Sequence, residues 1–203
     1  ATATPGRDDM QCRPRSGKRY SFVLHGLWPQ YERGYPESCQ TRDRPFVPDG
    51  VINRMLDIMP ARGLVIHQYR KHGTCSGLSP EGYFAESRRL FSKIKVPDRF
   101  VEPDAVQFVS PAELVSAFVA ANPGLKPESI AVQCSRPGDR LKEVRICFTR
   151  DGAFRACGSN ESQQRLCSAA KMYVPPVRPG APGATPSPKA PNAPAPLPDG
   201  RKI

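Results

Sequence analysis

The sequence predicts an α+β domain in which helices flank a central antiparallel β-sheet and disulfides stabilise the fold. Apolar residues recur at helical spacing through the first half of the chain and alternate as in strands through the second half. Helices and strands that are segregated in this way are typical of the α+β class rather than of alternating βα units. Seven cysteines in 203 residues indicate an exported, disulfide-stabilised protein.

The composition divides the chain into a folded domain over residues 1–174 and a disordered tail over residues 175–203. The tail holds ten of the 24 prolines and few large apolar residues, so it cannot bury enough surface to order itself. Of the net charge of +11, the tail carries +3 and the domain +8. An excess of positive charge is typical of proteins that bind a polyanion, and it is equally compatible with a role in solubility or in adhesion to a cell wall.

The predicted elements begin with a strand over Tyr20–Leu24, which is rich in aromatic and β-branched residues and places His25 at its end. Apolar residues then follow helical spacing over Val51–Met59, and Pro60 ends that helix. A second helix over His67–His72 comes next.

Two further helices have clear starting signals. Ser79 precedes a proline and caps the first, while Ser110 to Glu113 form a capping box that opens the second. The sequence Asn122-Pro123-Gly124 ends the latter helix.

Strands are predicted for the remainder of the domain, because the apolar period there falls to two residues. The predicted strands cover Ser129–Cys134, Leu141–Phe148 and Ala153–Cys157, and Asp151-Gly152 forms the hairpin turn before the last of them.

The chemically richest segment runs from His67 to Cys75. At about 100° per residue, His67, Lys71, Gln68 and His72 fall at roughly 0°, 40°, 100° and 140°, which places all four side chains on one arc of a helix. Gly73 stands where a helix end favours a left-handed residue. A single histidine is more often a packed or surface residue, but all three histidines of this chain lie in two short segments, and His25 is beside the only tryptophan, Trp28.

These segments resemble the two active-site segments of the ribonuclease T2 family. His25-Gly26-Leu27-Trp28-Pro29 is similar to the first, and the segment from His67 to Cys75 is similar to the second, usually His-Glu-Trp-x-Lys-His-Gly-Thr-Cys. The similarity extends over residues 12–167. It implies the α+β fold of that family and a metal-independent endoribonuclease, without cofactor, that acts on single-stranded RNA with low base specificity.

The resemblance also implies the roles of individual residues. His72 would be the general base, His25 the general acid, Lys71 the cation that stabilises the transition state, and His67 the holder of the phosphate. Gln68 departs from the glutamate usual in the family, so we expect retained but weakened catalysis.

Substrate contacts are implied for Trp28, Gln30 and Tyr35, which stand where the family binds bases. Stacking on an aromatic face tolerates any base. A packed residue that wedges the loop is the alternative for Trp28.

The resemblance further implies three disulfides, Cys39–Cys75, Cys134–Cys167 and Cys147–Cys157. Members of the family usually begin with a strand that ends in a cysteine, and nothing in residues 1–19 matches it. We expect that strand and an export signal to be missing from this sequence, which leaves Cys12 unpaired. A free or intermolecular thiol is the alternative.

The expected protein is thus a secreted or periplasmic monomer with no membrane segment. Two other functions stay open on the sequence alone. One is an RNA-binding or cytotoxic module that keeps the fold without turnover, and the other is an unrelated nuclease that binds a metal through the three histidines.

Overall fold

The computed structural model describes residues 20–42, 44–135 and 139–177. The helices in these ranges are α1 Asp49–Met55, α2 Arg62–Lys71, α3 Pro80–Ser92, α4 Pro111–Ala121 and α5 Gln163–Leu166. The strands are β1 Gln107–Val109, β2 Ile130–Cys134, β3 Leu141–Ile146 and β4 Met172–Val174. Most of the helices precede most of the strands, and the α+β prediction is confirmed.

The strands form two antiparallel pairs. Strand β2 pairs with β3 from Ile130 opposite Ile146 onward, with an irregularity near Cys134, and β1 pairs with β4. A backbone bridge between Arg140 and Tyr173 connects the pairs. Strands β1 and β4 were not predicted, because three residues are too few to establish an alternating pattern.

The strand predicted over Tyr20–Leu24 is wrong. This segment has no ladder partner among the described residues, although the Leu24 amide donates a hydrogen bond to the Ile58 carbonyl at 2.9 Å. Phe22 packs edge-on against Phe118, with 5.9 Å between ring centroids. The apolar side chains that suggested a strand therefore pack across the helices, and the segment still leads directly to His25.

The hairpin turn at Asp151-Gly152 is confirmed, and Gly152 has the positive φ of 83° that such a turn requires. The strand predicted after it is reduced to one bridge between Phe148 and Phe154 and a hydrogen bond from the Arg155 amide to the Cys147 carbonyl. The Cys157 amide instead bonds the Glu128 carbonyl. By Cys157, the backbone therefore no longer pairs with the segment around Cys147, although the disulfide still links the two cysteines.

Two apolar cores support the site. One packs α1, α2 and α3 together, and its buried side chains include Val51, Ile52, Met55, Met59, Val65, Tyr69, Tyr83 and Phe84. The other packs α4 onto the β2–β3 pair and the β1–β4 pair, with buried side chains that include Val109, Leu114, Phe118, Val132, Met172 and Val174. Helix α1 ends at Met55, earlier than predicted, but a turn carries Met59 into the same core.

The predicted caps are present at both serines. Ser79 accepts a hydrogen bond from the Gly82 amide, and Ser110 and Glu113 form a complete capping box. Each cap fixes where its helix begins, typically contributing about 1 kcal/mol.

The structure contains the three predicted disulfides, Cys39–Cys75, Cys134–Cys167 and Cys147–Cys157. Cys12 and residues 178–203 of the predicted tail lie outside the described residues. Within the described ranges, no helix is both long enough and apolar enough to cross a membrane.

Candidate active site

Helix α2 and the turn that follows it carry four of the five predicted catalytic residues. His67 is exposed and Lys71 half-buried, whereas Gln68 is only 2% exposed and His72, at the end of the helix, 7% exposed. The predicted arc is therefore tilted, with His67 at its solvent edge and Gln68 and His72 directed inward.

Gly73 corrects one expectation about this helix end. It does not have a positive φ, and it begins a 3-10 turn over Gly73–Cys75. A Cβ atom at Gly73 would lie 2.3 Å from the Tyr69 ring. The glycine is required because an aromatic ring packs directly on the backbone, not because the chain turns left-handed there.

The Trp28 indole joins the two histidine segments. Its ring centroid lies 5.1 Å from that of His25 and 5.4 Å from that of His72, and its Nε1 donates a hydrogen bond to Gln68 Oε1 at 2.8 Å. Residues about 40 positions apart in the chain are thereby fixed around a single aromatic ring. His25 and His72 therefore both lie against the same indole ring.

The surroundings of Trp28 also bear on its predicted role. The Arg145 guanidinium lies over the indole ring, 5.0 Å from its centroid, and Trp28 is half-buried. A ring that contacts a cation, two imidazoles and a carboxamide is already extensively packed. These contacts are those expected of the alternative to base stacking, in which Trp28 is a packed residue that wedges the loop.

His25 has a carboxylate partner that the sequence analysis missed. Its Nδ1 lies 2.8 Å from Glu143 Oε1, and the Glu143 side chain is 11% exposed. Burial raises the pKa of Glu143, but the hydrogen bond and charge of His25, together with Arg145, outweigh it and lower that pKa to about 2. Glu143 is therefore ionised throughout the ordinary pH range, and the His25 Nδ1 must donate to it.

Arg145 holds this carboxylate in place. Its Nε and Nη2 donate to Glu143 Oε2 at 3.0 and 2.9 Å, and its Nη1 donates to Glu161 Oε2 at 2.9 Å. Since the guanidinium also covers Trp28, one cation ties the orientation of His25 to that of the indole. Glu143 and Arg145 are two residues apart on β3, so they share one face of the strand.

His72 has the opposite environment. Burial lowers its pKa to about 4, and the nearby positive charge of Lys71 and the other histidines add to this effect against the opposing charge of Glu37. Its Nδ1 is buried and has no hydrogen-bond partner among the described residues. At pH 5 and above, His72 is consequently a neutral imidazole, whereas His25, which contacts the same indole, is paired with a carboxylate.

Lys71 lies next to His72 and forms an ion pair with Glu37, with 3.1 Å between Nζ and Oε2. The loop that carries Glu37 is attached to the helix end in two further ways. The Ser38 amide donates to the Lys71 carbonyl at 2.7 Å, and the Cys39–Cys75 disulfide links the same two segments. The loop after His25 and the end of α2 therefore form one rigid unit.

The other predicted substrate residues lie at the rim of this unit. Gln30 Oε1 accepts a hydrogen bond from Asn160 Nδ2 at 2.7 Å, and Asn160 also bonds both the amide and the carbonyl of Gly34. Tyr35 is 55% exposed. Gln30 is thus held by the protein, whereas the Tyr35 ring is accessible to a ligand.

Little in the sequence indicates that Glu143 and Arg145 belong to the site, although one signal is available. A half-buried strand that carries two opposite charges on one face is unusual, since such charges are rarely buried unless paired. The face of β3 that carries Glu143 and Arg145 is therefore expected to pack against other polar groups. In the structure these groups are His25 and Glu161.

No group of three or more His, Cys, Asp and Glu side chains among the described residues is placed to hold a metal ion.

Comparison with known proteins identifies this arrangement. Residues 3–157 match the sequence model of the ribonuclease T2 family, and this span includes both histidine segments. The chain belongs to the ribonuclease T2 family.

Similar proteins of known sequence support this membership in the ribonuclease T2 family. A protein named "Ribonuclease" from Aeromonas hydrophila is 34% identical over 166 residues, which cover 75% of this chain and 70% of that protein. Ribonuclease I of Escherichia coli is 24% identical over 188 residues, which cover 76% of this chain and 70% of that protein. As a member of this family, the chain is an endoribonuclease.

Solved structures show the same fold as this ribonuclease. An RNase-related protein from Calystegia sepium has a TM-score of 0.63 at 18% identity, covering 87% of this chain and 91% of its own. RNase NT, whose structure was solved in complex with 5'-AMP, has a TM-score of 0.56 at 23% identity, covering 81% and 88%. The predicted antiparallel, disulfide-stabilised α+β fold is therefore confirmed as that of T2 ribonucleases.

Proposed function

We propose that this ribonuclease cleaves single-stranded RNA by attack of the ribose 2'-hydroxyl on the adjacent phosphorus. The 5'-oxygen of the next nucleotide leaves, and a 2',3'-cyclic phosphate forms that water then opens more slowly to a 3'-phosphate. The observation that carries the proposal is the placement of His25 and His72 around one indole, with a different protonation environment for each. This reaction needs one base and one acid, and the nucleophile is supplied by the substrate itself.

His72 is the general base of the first step. An imidazole whose pKa is lowered to about 4 is neutral at mildly acid pH, so it can accept the proton of the 2'-hydroxyl. Because Nδ1 is enclosed by the protein, Nε2 is the atom available to the substrate.

His25 is the general acid. Its Nδ1 is engaged by Glu143, which leaves Nε2–H to donate a proton to the departing 5'-oxygen. The carboxylate stabilises the imidazolium that precedes transfer, since a charged hydrogen bond is about twice as strong as a neutral one. In the hydrolysis step, His25 removes a proton from water and His72 returns one to the 2'-oxygen.

Lys71 and His67 supply positive charge to the reacting phosphate. Negative charge grows on the phosphoryl oxygens as the 2'-oxygen attacks, and a preorganised cation lowers the energy of that state. In the free protein, Lys71 is paired with Glu37. An exposed pair of this kind is worth only about 0–1 kcal/mol, so a phosphate can compete for the ammonium group.

Gln68 supports the site without a charge. Its carbonyl oxygen fixes the Trp28 indole, and the indole in turn contacts both catalytic rings. A glutamine cannot exchange protons with the substrate, so we expect slower catalysis than from a glutamate at this position.

Low base specificity follows from the rim. Tyr35 offers an exposed ring on which any base can stack, and Gln30 is a neutral contact already occupied by Asn160. Trp28 acts mainly as the wedge that positions the histidines.

The deciding experiment is a digest of a dinucleotide such as CpA by the wild type and by His72→Ala, with the products separated by chromatography. We expect the wild type to produce a 2',3'-cyclic phosphate that later becomes a 3'-phosphate, with a bell-shaped rate profile centred below neutral pH. EDTA should leave the rate unchanged. Equal inertness of both proteins would favour a binding module without turnover, and loss of activity in EDTA would favour a metal-dependent nuclease.

The cellular setting that fits this protein is outside the cytosol. Three disulfides form and persist in an oxidising compartment, which supports a secreted or periplasmic location. We propose that the enzyme acts there as a monomer, that residues 1–174 make up the catalytic unit, and that the proline-rich tail is not needed for cleavage. Light scattering and the activity of a protein truncated after residue 174 test these points.

A further inference from the structure

A basic groove lies beside the catalytic helix and has no part in the chemistry described above. It is lined by the Arg42, Arg44 and Arg70 side chains and by the chain over residues 38–41 and Pro45. We refer to it as the arginine groove. All three arginines are exposed.

The cations of the arginine groove are available to a ligand. The arginines that form ion pairs in the described part of the chain lie elsewhere and are Arg62, Arg88, Arg89, Arg145 and Arg155. By sequence, the only acidic residue among positions 38–46 is Asp43, so these positions together with Arg70 carry a net charge of +2. The groove therefore has a net positive charge, which suits an anionic ligand.

The groove is fixed relative to the catalytic centre. Arg70 directly precedes Lys71 on α2, and its Nε donates a hydrogen bond to the Pro45 carbonyl at 3.2 Å. The hydrogen bond from Ser38 to Lys71 and the Cys39–Cys75 disulfide connect the other wall of the groove to the same helix end. The groove is therefore attached to the helix end that carries Lys71, the residue proposed to contact the reacting phosphate.

An exposed aromatic residue follows Arg44 by two positions in the chain. Phe46 follows Pro45 in the chain and is 69% exposed, although its neighbour Val47 is buried in the helical core. Cations along a groove combined with an exposed aromatic face are the features with which proteins bind single-stranded nucleic acid, through phosphate contacts and base stacking. An anionic lipid surface can also use cations and an exposed ring, but it would not account for the position of the groove directly beside Lys71.

We propose that the arginine groove and Phe46 form a second binding site of this enzyme, for nucleotides of single-stranded RNA beyond the two that flank the scissile phosphate. Arg42, Arg44 and Arg70 contact phosphates, and Phe46 stacks on a base. This proposal rests on the proposed function. It implies that the enzyme prefers long RNA to dinucleotides because the groove lowers KM for long substrates, while kcat is set at the histidines.

The test uses a 2'-O-methyl RNA octamer, which lacks the nucleophile and cannot be cleaved, and CpA as the short substrate. Octamer affinity is measured from 50 to 300 mM salt for the wild type and for Arg42→Ala/Arg44→Ala. The slope of log affinity against log salt should decrease by about 0.7 for each phosphate contact removed. Arg42→Lys/Arg44→Lys keeps the charges and should restore the slope. Arg62→Ala, at the other end of the same helix, is the matched control and should leave it unchanged.

Phe46→Ala should weaken octamer binding at least fivefold with no change in the salt slope, because stacking releases no counterions. Phe46→Tyr should bind like the wild type. For the arginine variants, the loss of octamer affinity should exceed any loss of kcat/KM on CpA by at least fivefold.

Several results would overturn the proposal. One is unchanged octamer binding in Arg42→Ala/Arg44→Ala. Another is an equal fold-loss of octamer affinity and of kcat/KM on CpA in that variant. A third is that the variant loses binding to phosphatidylserine vesicles while its octamer affinity stays at the wild-type value. Failure of the proposed function is a separate result, since a wild type that leaves CpA intact can still bind the octamer through the groove.

Discussion

Replacement of Glu143 by glutamine tests the polar network more directly than any change to the histidines. Arg145 directs two N–H groups at Oε2 of this side chain, and a guanidinium cannot accept a hydrogen bond. In Glu143→Gln the carboxamide must therefore turn its oxygen towards Arg145 and its NH2 towards His25. The His25 Nδ1 then faces a donor, which disfavours the imidazolium form that gives up the proton.

The expected magnitude follows from the hydrogen bond that is lost. The His25–Glu143 contact at 2.8 Å joins two groups that are both charged when His25 is the acid, and the carboxylate is 11% exposed. Hydrogen bonds to charged groups contribute about 1.5–3 kcal/mol, which corresponds to about a 10- to 150-fold decrease in rate. We expect this decrease in kcat for CpA, with KM changed less than threefold because the Glu143 carboxylate is buried and already paired with His25 and Arg145.

The assay is the initial rate of CpA cleavage from pH 4 to 8, with near-UV circular dichroism to confirm the fold. Glu161→Gln is the matched control, since Glu161 bonds the same Arg145 without contacting His25, and it should lose less than fivefold. The pKa of Glu143 is about 2, so the wild-type carboxylate is ionised throughout the assay. Because the variant disfavours the imidazolium form of His25, the loss should be largest near pH 8 and smallest near pH 4. A fully active Glu143→Gln enzyme with an intact fold would refute the role assigned to this carboxylate.

Three further predictions concern the groups around the indole. A Cβ at Gly26 would lie 2.0 Å from Gln68 Oε1. Gly26→Ala should therefore lower kcat on CpA at least tenfold and lower the free energy of unfolding in urea by about 1–3 kcal/mol. A fully active variant would contradict this prediction. Gln68→Glu should raise kcat on CpA, whereas a large fall would show that the site works differently. Because the folded pKa of His72, about 4, lies below its ordinary value of 6.5, the unfolded chain takes up the proton first as the pH falls. The free energy of unfolding should therefore decrease by up to about 2 kcal/mol from pH 6.5 to 4.5 because of His72. His72→Phe should remove this contribution. An identical pH dependence in both proteins would count against a buried, neutral imidazole.

The residues proposed to be catalytic could be predicted because they lie in two short segments that resemble the active-site segments of a known family. His67, Gln68, Lys71 and His72 lie within six residues, so helical geometry alone places them on neighbouring positions. The same holds for the serine caps and the Asp151-Gly152 turn, whose structure depends on adjacent residues. Local rules predict these features without any knowledge of the tertiary structure.

The partners of the catalytic residues were not predictable in this way. Glu143 is 118 residues from His25, and Asn160 is 130 residues from Gln30, so no local pattern connects either pair. The strand predicted over Tyr20–Leu24 failed for a related reason. Its aromatic and β-branched residues suit a sheet, but a strand exists only where a partner offers a ladder, and here the helices cover the side chains instead.

The glutamine at position 68 is best understood from the charge of the buried site. Gln68 is 2% exposed and next to His72 within one turn, and a carboxylate at that depth would favour protonation of the neighbouring imidazole. With a neutral carboxamide there, burial and the charges of Lys71 and His67 lower the pKa of His72 to about 4, and the proposed base is neutral even in mild acid. Glutamine at position 68 thus lacks a carboxyl group that could exchange protons with the substrate. In return, His72, the proposed base, stays deprotonated over a wider pH range.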